Sequence, residues 1–217
     1  MEDGYRESGE SWGMVLRDLK RRGMRAPVLA IGDGALGFWA ALRDVWPETH
    51  EQRDWVHRIA NVLDKLPKRL QPKAKSALHE IMNAESRAAA EKEIEKFREE
   101  YRAKYSKAVE TLTGDQDKLL TFFDFPAEHW LHIWTSNPVE SAFSTVRLRQ
   151  RVTKGAGSRN RGLMMAFKLL EMAQLRWRRL NGSELLPLVR AGVSFKDGKQ
   201  VERTDQQVQQ EAAEVAA

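Results

Sequence analysis

Glu140 stands in Thr135-Ser136-Asn137-Pro138-Val139-Glu140, a stretch that reads as the start of a helix with a carboxylate in its first turn. Asn137 suits the N-cap, Pro138 suits the first helical position, and Glu140 falls third, where its side chain can reach back to the cap. Steps of four and seven residues put Ser144 and Arg147 on the Glu140 face. Asp33 lies between Gly32 and Gly34, directly after the apolar run Val28-Leu29-Ala30-Ile31. Asp54 and His57 form a D-x-x-H pair after the next extended stretch. Separated carboxylates that converge on divalent ions about 3.5–4 Å apart suit in-line phosphoryl transfer. Mg²⁺ (or Mn²⁺) fits that work because it accepts few carboxylates and keeps water and phosphate in its shell. The Asp54 and His57 pair could hold a metal, polarise a water, or simply hydrogen-bond to each other with Asp54 as a helix cap.

Beyond Glu140 the charge is one-sided. From Ser141 to Leu180 there are ten basic residues against one acid, Glu171. Such a concentration seeks phosphate, and Arg147, Arg149, Arg151, Lys154, Arg159 and Arg161 are the candidate contacts to a double-stranded DNA backbone. A capping box followed by a solvated basic helix would look the same in isolation.

The elements that must position these residues can be read from periodicity. Trp12, Val15, Leu16 and Leu19 recur at helical spacing, and Gly23 ends that helix. Val28–Ile31 is expected as a buried strand ending at Gly32-Asp33-Gly34, where ligand sites of open α/β sheets lie. A helix with Leu36, Trp39, Ala40 and Val45 inward follows, then a strand within Thr49–Val56, then a helix through Ile59, Val62 and Leu63. Strand, helix, strand, helix indicates an α/β layer. Gly32-Asp33-Gly34-Ala35-Leu36-Gly37 also satisfies G-x-G-x-x-G, but a carboxylate in that loop would repel pyrophosphate, and no further strand-helix units complete a dinucleotide-binding domain.

Residues 72–120 are rich in Ala, Lys and Glu, with Leu78, Ile81, Ile94, Phe97, Tyr101, Val109 and Leu112 spaced as in amphipathic helices. Phe122, Phe123, Phe125, Trp130, Ile133 and Trp134 then return the chain to a core. His129, His132, His50 and His79 read as surface or packing residues. The reading is helix-rich α/β, with an α/β core at 1–66, a helical insertion at 67–125, core helices carrying Glu140 at 126–198, and an acidic, frayed tail at 199–217.

The chain has 217 residues, 41% of them hydrophobic and 31% charged, enough for one sizeable core. Its net charge of +5 understates the local basic cluster because the tail is acidic. Without cysteine there is no disulfide framework and no thiolate ligand, which fits a reducing cytoplasm. No apolar run is long enough to span a membrane, and no signal-peptide pattern opens the chain.

Several segments together resemble the C-terminal part of Mutator-type transposases of bacterial insertion sequences. They are Asp3-Gly4-Tyr5-Arg6-Glu7-Ser8, Ile31 to Trp39, Gln52-Arg53-Asp54-Trp55-Val56-His57, Leu66-Pro67-Lys68, Phe125 to Trp130, Thr135 through Arg147, and Thr153-Lys154-Gly155-Ala156. The resemblance implies an RNase H-like core interrupted by an all-helical insertion, and a DDE triad that binds Mg²⁺ and cuts and joins transposon ends. It implies that Asp33 is the second aspartate and Glu140 the glutamate, with Asp54 and His57 as the C/D-x-x-H signature and Glu140 and Arg147 as its E-x₆-R pattern. Asn137 belongs to the same motif, and a homo-oligomer is implied for the full-length form. The family's first aspartate lies on an earlier strand, upstream of the segment like Asp3–Ser8. On this reading the chain is an N-terminally truncated fragment, with an unpaired sheet edge and little or no strand-transfer activity alone. The rival expectation is a non-catalytic DNA- or partner-binding remnant that modulates a full-length transposase.

Overall fold

Ser8 accepts the Ser11 N–H and so caps the first helix, α1 (Gly9–Arg21), in the computed structural model, which describes residues 8–201. Strand β1 (Leu29–Gly32), helix α2 (Leu36–Val45), strand β2 (His50–Arg53) and helix α3 (Trp55–Leu63) follow. The two strands pair in parallel, Leu29 opposite His50 and Gly32 opposite Arg53, with α2 as the crossover. Among the described residues this sheet has two strands. Within Thr49–Val56 the strand is only four residues long, because Asp54 caps α3 and turns the chain into a helix.

Leu16 of α1 packs with Trp39, Ala41, Leu42, Val45 and Trp46, the first of two apolar clusters. The inward face of α2 differs from the expected one. Leu36 is 81% exposed and Ala40 also faces outward, while Ala41 and Leu42 are buried. The helix starts at Leu36 itself.

The glycines of the G-x-G-x-x-G string serve packing. A Cβ on Gly37 would lie 2.8 Å from the Gly9 backbone nitrogen where α2 meets α1, and one on Gly32 would press the Trp39 ring at 3.1 Å. Gly34 has open space around it.

Helices α4 (Gln71–Met82), α5 (Arg87–Tyr101) and α6 (Ser106–Thr113) make up the segment expected as an insertion, joined by the short α7 (Gln116–Leu119) and the turn Thr121–Asp124. Leu78, Ile81, Ile94, Phe97, Tyr101, Val109 and Leu112, the residues expected inward, all sit in the second and larger core. Phe122 and Phe123 complete it, with Trp130, Ile133 and Trp134 packed against it. Buried Gln52 of β2 ties this core to the sheet: its Nε2 donates to the Leu119 carbonyl at 3.0 Å and its Oε1 accepts the Phe122 N–H at 2.8 Å. Trp55 Nε1 also donates to the Leu119 carbonyl, at 3.0 Å.

The chain then passes through α8 (Trp130–Ile133) into a pair of sixteen-residue helices, α9 (Asn137–Val152) and α10 (Arg159–Gln174), which pack on each other. Neither has a fully buried residue. After α11 (Leu186–Arg190), strands β3 (Phe195–Lys196) and β4 (Lys199–Gln200) form a hairpin whose Asp197 accepts the Arg87 N–H at 2.7 Å and caps the α5 end. Lys199 and Gln200, assigned to the tail from sequence, therefore belong to this hairpin; residues 202–217 and the polar segment before Ser8 lie outside the described residues. No helix among the described residues is long and apolar enough to cross a membrane.

Because Gly37 meets backbone and Gly34 meets nothing, Gly37→Ala should lower stability by about 1–3 kcal/mol while Gly34→Ala changes it little. Urea unfolding of the two variants checks this, and equal losses would contradict the packing account.

Candidate metal centre

Asp54 closes β2 and opens α3. Its Oδ1 accepts the His57 N–H at 3.0 Å, as an N-cap does. Its Oδ2 accepts the Ser136 N–H at 2.7 Å, the Ser136 hydroxyl at 2.8 Å and the Thr135 hydroxyl at 3.0 Å. The Asp54 side chain is 0% exposed. One residue on, the Trp55 N–H donates to the Trp134 carbonyl at 2.8 Å. The end of a strand is thus latched to the start of α9, about eighty residues later in the chain. Burial alone would raise the Asp54 carboxyl, but donors from the His57 and Ser136 N–H groups and the Ser136 hydroxyl outweigh it and hold the group below its usual 3.8.

The latch sets the position of Glu140. The N-cap of α9 is Ser136 rather than the expected Asn137, and its hydroxyl is turned to Asp54 instead of to a helix N–H. Asn137 is the exposed first residue of α9, its N–H donating to Thr135 Oγ1 at 3.2 Å. Glu140 does face back toward the cap, with Oε1 3.2 Å from Ser136 Oγ. The same oxygen lies 3.7 Å from His57 Nε2, and His57 Nδ1 lies 3.3 Å from Asp54 Oδ2. Asp54, His57 and Glu140 each offer an atom within 4.8 Å of the others, a spacing that could hold an ion.

The three are not equivalent as ligands. Asp54 already accepts four hydrogen bonds on a fully buried carboxylate, so few lone pairs remain for a cation. Glu140 and His57 are half-exposed and open toward solvent. Those two can touch one divalent ion: with ligand bonds of about 2.0–2.2 Å, partners on a common ion lie within about 4.4 Å of each other.

Asp33 lies outside this group but on the same edge. It follows Gly32 as Asp54 follows Arg53, and these two residues pair across the strands. Its carboxylate is exposed and accepts only the Ala35 N–H at 3.0 Å among the hydrogen bonds observed. Its carbonyl is held by Trp39 Nε1 at 2.7 Å and by Arg53 at 3.3 Å. The buried Arg53 guanidinium sits 4.4 Å over the Trp39 ring and 3.3 Å from Asp115 of the insertion. Asp115 would be raised by burial, but Arg53 and Arg58 hold it below the usual carboxylate value. The Asp33 turn is therefore braced from two sides.

Arg147 reaches the Glu140 carbonyl at 3.3 Å, not its carboxylate, so the two share a face without forming an ion pair. Arg147, Arg149, Arg151, Lys154 and Arg161 are exposed along α9, its C-terminal turn and the start of α10, with exposed Arg159 beside Arg161. His129 and His132, read as packing residues, contact the Gly182 carbonyl and the Asn181 N–H.

Residues 1–164 match the sequence profile described as Transposase, Mutator family. That span contains Asp33, Asp54, His57 and Glu140 together. The chain belongs to the Mutator family of transposases. It is 57% identical over 201 residues to the transposase for insertion sequence element IS6120 of Mycolicibacterium smegmatis, covering 93% of this chain and 62% of that protein. It is 51% identical over 214 residues to the transposase for element IST2 of Acidithiobacillus ferrooxidans, covering 98% of this chain and 72% of that protein. A more distant relative, the transposase for element IS905 of Lactococcus lactis, is 30% identical over 135 residues, covering 62% of this chain and 34% of that protein. The chain thus spans less than two thirds of the length of the IS6120 relative.

Reading the Mutator-family motifs along the chain missed Thr135 and Ser136 as partners of Asp54, and missed Arg53 and Trp39 behind Asp33. Hydroxyl pairs and a strand-end arginine are common, and only the fold says where they point.

The depressed Asp54 carboxyl carries a sign. Its contribution to stability is full above the ordinary value of 3.8 and is lost as pH falls through its lower folded value. Asp54→Asn should cost about 1.5–3 kcal/mol at neutral pH, and its stability should fall less steeply than that of the parent below about pH 4. Urea unfolding from pH 2 to 7 measures both; parallel curves would contradict the assignment.

Proposed function

We propose that this chain carries part of the catalytic machinery for metal-dependent cleavage and strand transfer of DNA at the ends of an insertion sequence. The observation that supports this best is the latch itself. It brings Glu140, from the first turn of α9, to the carboxyl edge of a parallel sheet where Asp33 also projects, beside a helix lined with arginines. On this reading the β1-α2-β2-α3 layer is part of an RNase H-like core, and α4 to α7 are its helical insertion.

Asp33 and Glu140 hold divalent metal, Mg²⁺ or Mn²⁺. The bound ion supplies the positive charge that makes a water or a DNA 3′-hydroxyl a better nucleophile at phosphorus. The protein's own residues do the positioning. Asp54 holds the His57 backbone N–H and the start of α9; Arg53 and Trp39 fix the Asp33 turn through its carbonyl. Arg147, Arg149, Arg151, Lys154, Arg159 and Arg161 bind the phosphates of double-stranded DNA. In its full-length form the protein acts as a homo-oligomer in the bacterial cytoplasm.

A second reading is a DNA- or partner-binding remnant with no activity of its own. It is favoured by one feature: the carboxylate grouped with Glu140 and His57 is Asp54, which already accepts four hydrogen bonds. The same feature supports little or no strand transfer by the 217-residue chain alone.

Two experiments separate these readings. Asp33→Asn and Glu140→Gln, each introduced into a protein of the relatives' full length, should abolish excision while duplex binding persists. Retained excision in either variant removes that residue from the site. The second concerns the grip on DNA: log Kd against log salt for the 217-residue chain should be steep, and Arg147→Ala, Arg149→Ala and Arg151→Ala should each reduce the slope by about 1. Slopes unchanged in all three would place the interface elsewhere.

A further inference from the structure

We infer that His57 is itself a metal ligand, its Nε2 binding the same divalent ion as Glu140, so that the centre has a mixed nitrogen and oxygen donor set. This rests on the reading of Glu140 as a metal ligand and adds a residue to it.

His57 Nδ1 is buried and faces the Asp54 carboxylate at 3.3 Å, so the hydrogen of the neutral ring belongs on Nδ1. That leaves the Nε2 lone pair pointing at Glu140 Oε1, 3.7 Å away. Ser136 Oγ, the other polar atom beside that oxygen, has a single hydrogen, and its shorter contact is to Asp54 at 2.8 Å against 3.2 Å to Glu140. Glu140 Oε1 then faces the Nε2 lone pair and shares with Asp54 the one Ser136 hydroxyl hydrogen. Such an arrangement is repulsive unless something positive lies between them. A doubly protonated ring would supply a donor, but 3.7 Å is beyond hydrogen-bond distance, whereas it suits two ligands on one ion.

Asp54 then takes the part that carboxylates play behind metal-bound histidines. Its Oδ2 faces the far ring nitrogen at 3.3 Å and orients the ring without touching the ion. Its saturation by His57, Thr135 and Ser136 donors suits that part and argues against direct ligation. The spacing has a local cause: with Asp54 as N-cap, His57 falls on the third residue of α3, and its ring lies back over the cap.

An imidazole nitrogen among the donors shifts preference away from Mg²⁺ toward later first-row ions. The chain should bind Mn²⁺ more tightly than Mg²⁺, and His57→Asp, which restores an oxygen donor, should narrow that preference by roughly tenfold. Asp54→Asn should weaken Mn²⁺ binding by about 10- to 100-fold.

The deciding experiment titrates the 217-residue chain with Mn²⁺ alone and reads the bound ion by pulsed electron paramagnetic resonance. Directly bound imidazole gives a ¹⁴N coupling. The expected result is a ¹⁴N signal in the parent that is absent in His57→Asp and His57→Gln, with Mn²⁺ still held by His57→Asp. Circular dichroism confirms that both variants fold. If Mn²⁺ binds and Glu140→Gln weakens it but no nitrogen coupling is seen, His57 is not a ligand and the Glu140 reading survives. If Mn²⁺ fails to bind, or binds equally well to Glu140→Gln, both the ligand set and the metal reading fall.

Discussion

A fully buried carboxylate, Asp54, joins the end of β2 to the start of α9, about eighty residues further along the chain. Taking an ionised group out of water is costly unless donors replace the lost hydration, and here a helix N–H, a second N–H and two hydroxyls do so. The consequence is directional. The donors come from the first turn of α3 and from Thr135-Ser136, so satisfying the charge forces α9 to begin beside the end of β2. Glu140 is delivered next to His57 as a result of this balance rather than by apolar packing, since no residue of α9 is fully buried.

The rest of the molecule divides by what holds it. The insertion is a conventional apolar core, anchored to β2 by the buried Gln52 amide and the Trp55 indole. The sheet edge is held by charge. Arg53 stacks on Trp39, grips the Asp33 carbonyl and contacts Asp115 of the insertion, so the turn that carries Asp33 is mechanically continuous with the helices around it. The α9 and α10 pair is different again. It leaves Phe143, Leu148, Met164, Phe167, Leu175 and Trp177 exposed amid its arginines. Its position depends on the latch more than on the core.

Much of the scaffold was legible in the sequence because helical and strand periods report burial directly. The inward residues of the insertion, from Leu78 to Leu112, were all found that way. The two strands, and Asp54, His57 and Glu140, which the fold brings together, were legible from apolar runs and motif chemistry. What could not be read was pairing across the chain. The N-cap slipped from Asn137 to Ser136 because a tertiary acceptor, Asp54, outcompeted the local one. Leu36 and Ala40 fall outward because period alone does not fix which face of α2 turns to α1. Whether Asp54 serves as a ligand or as a clasp was likewise left open by spacing, and only its hydrogen-bond partners separate the two.

The central claim is that the Asp54 carboxylate positions α9 by binding its first backbone amide. Hydrogen exchange at the Ser136 N–H reads this bond directly, because an amide opening a half-exposed helix would otherwise exchange freely. The account predicts strong protection of that amide in the parent chain and its loss in Asp54→Asn. Exchange at the rate of an unstructured amide in the parent would contradict it.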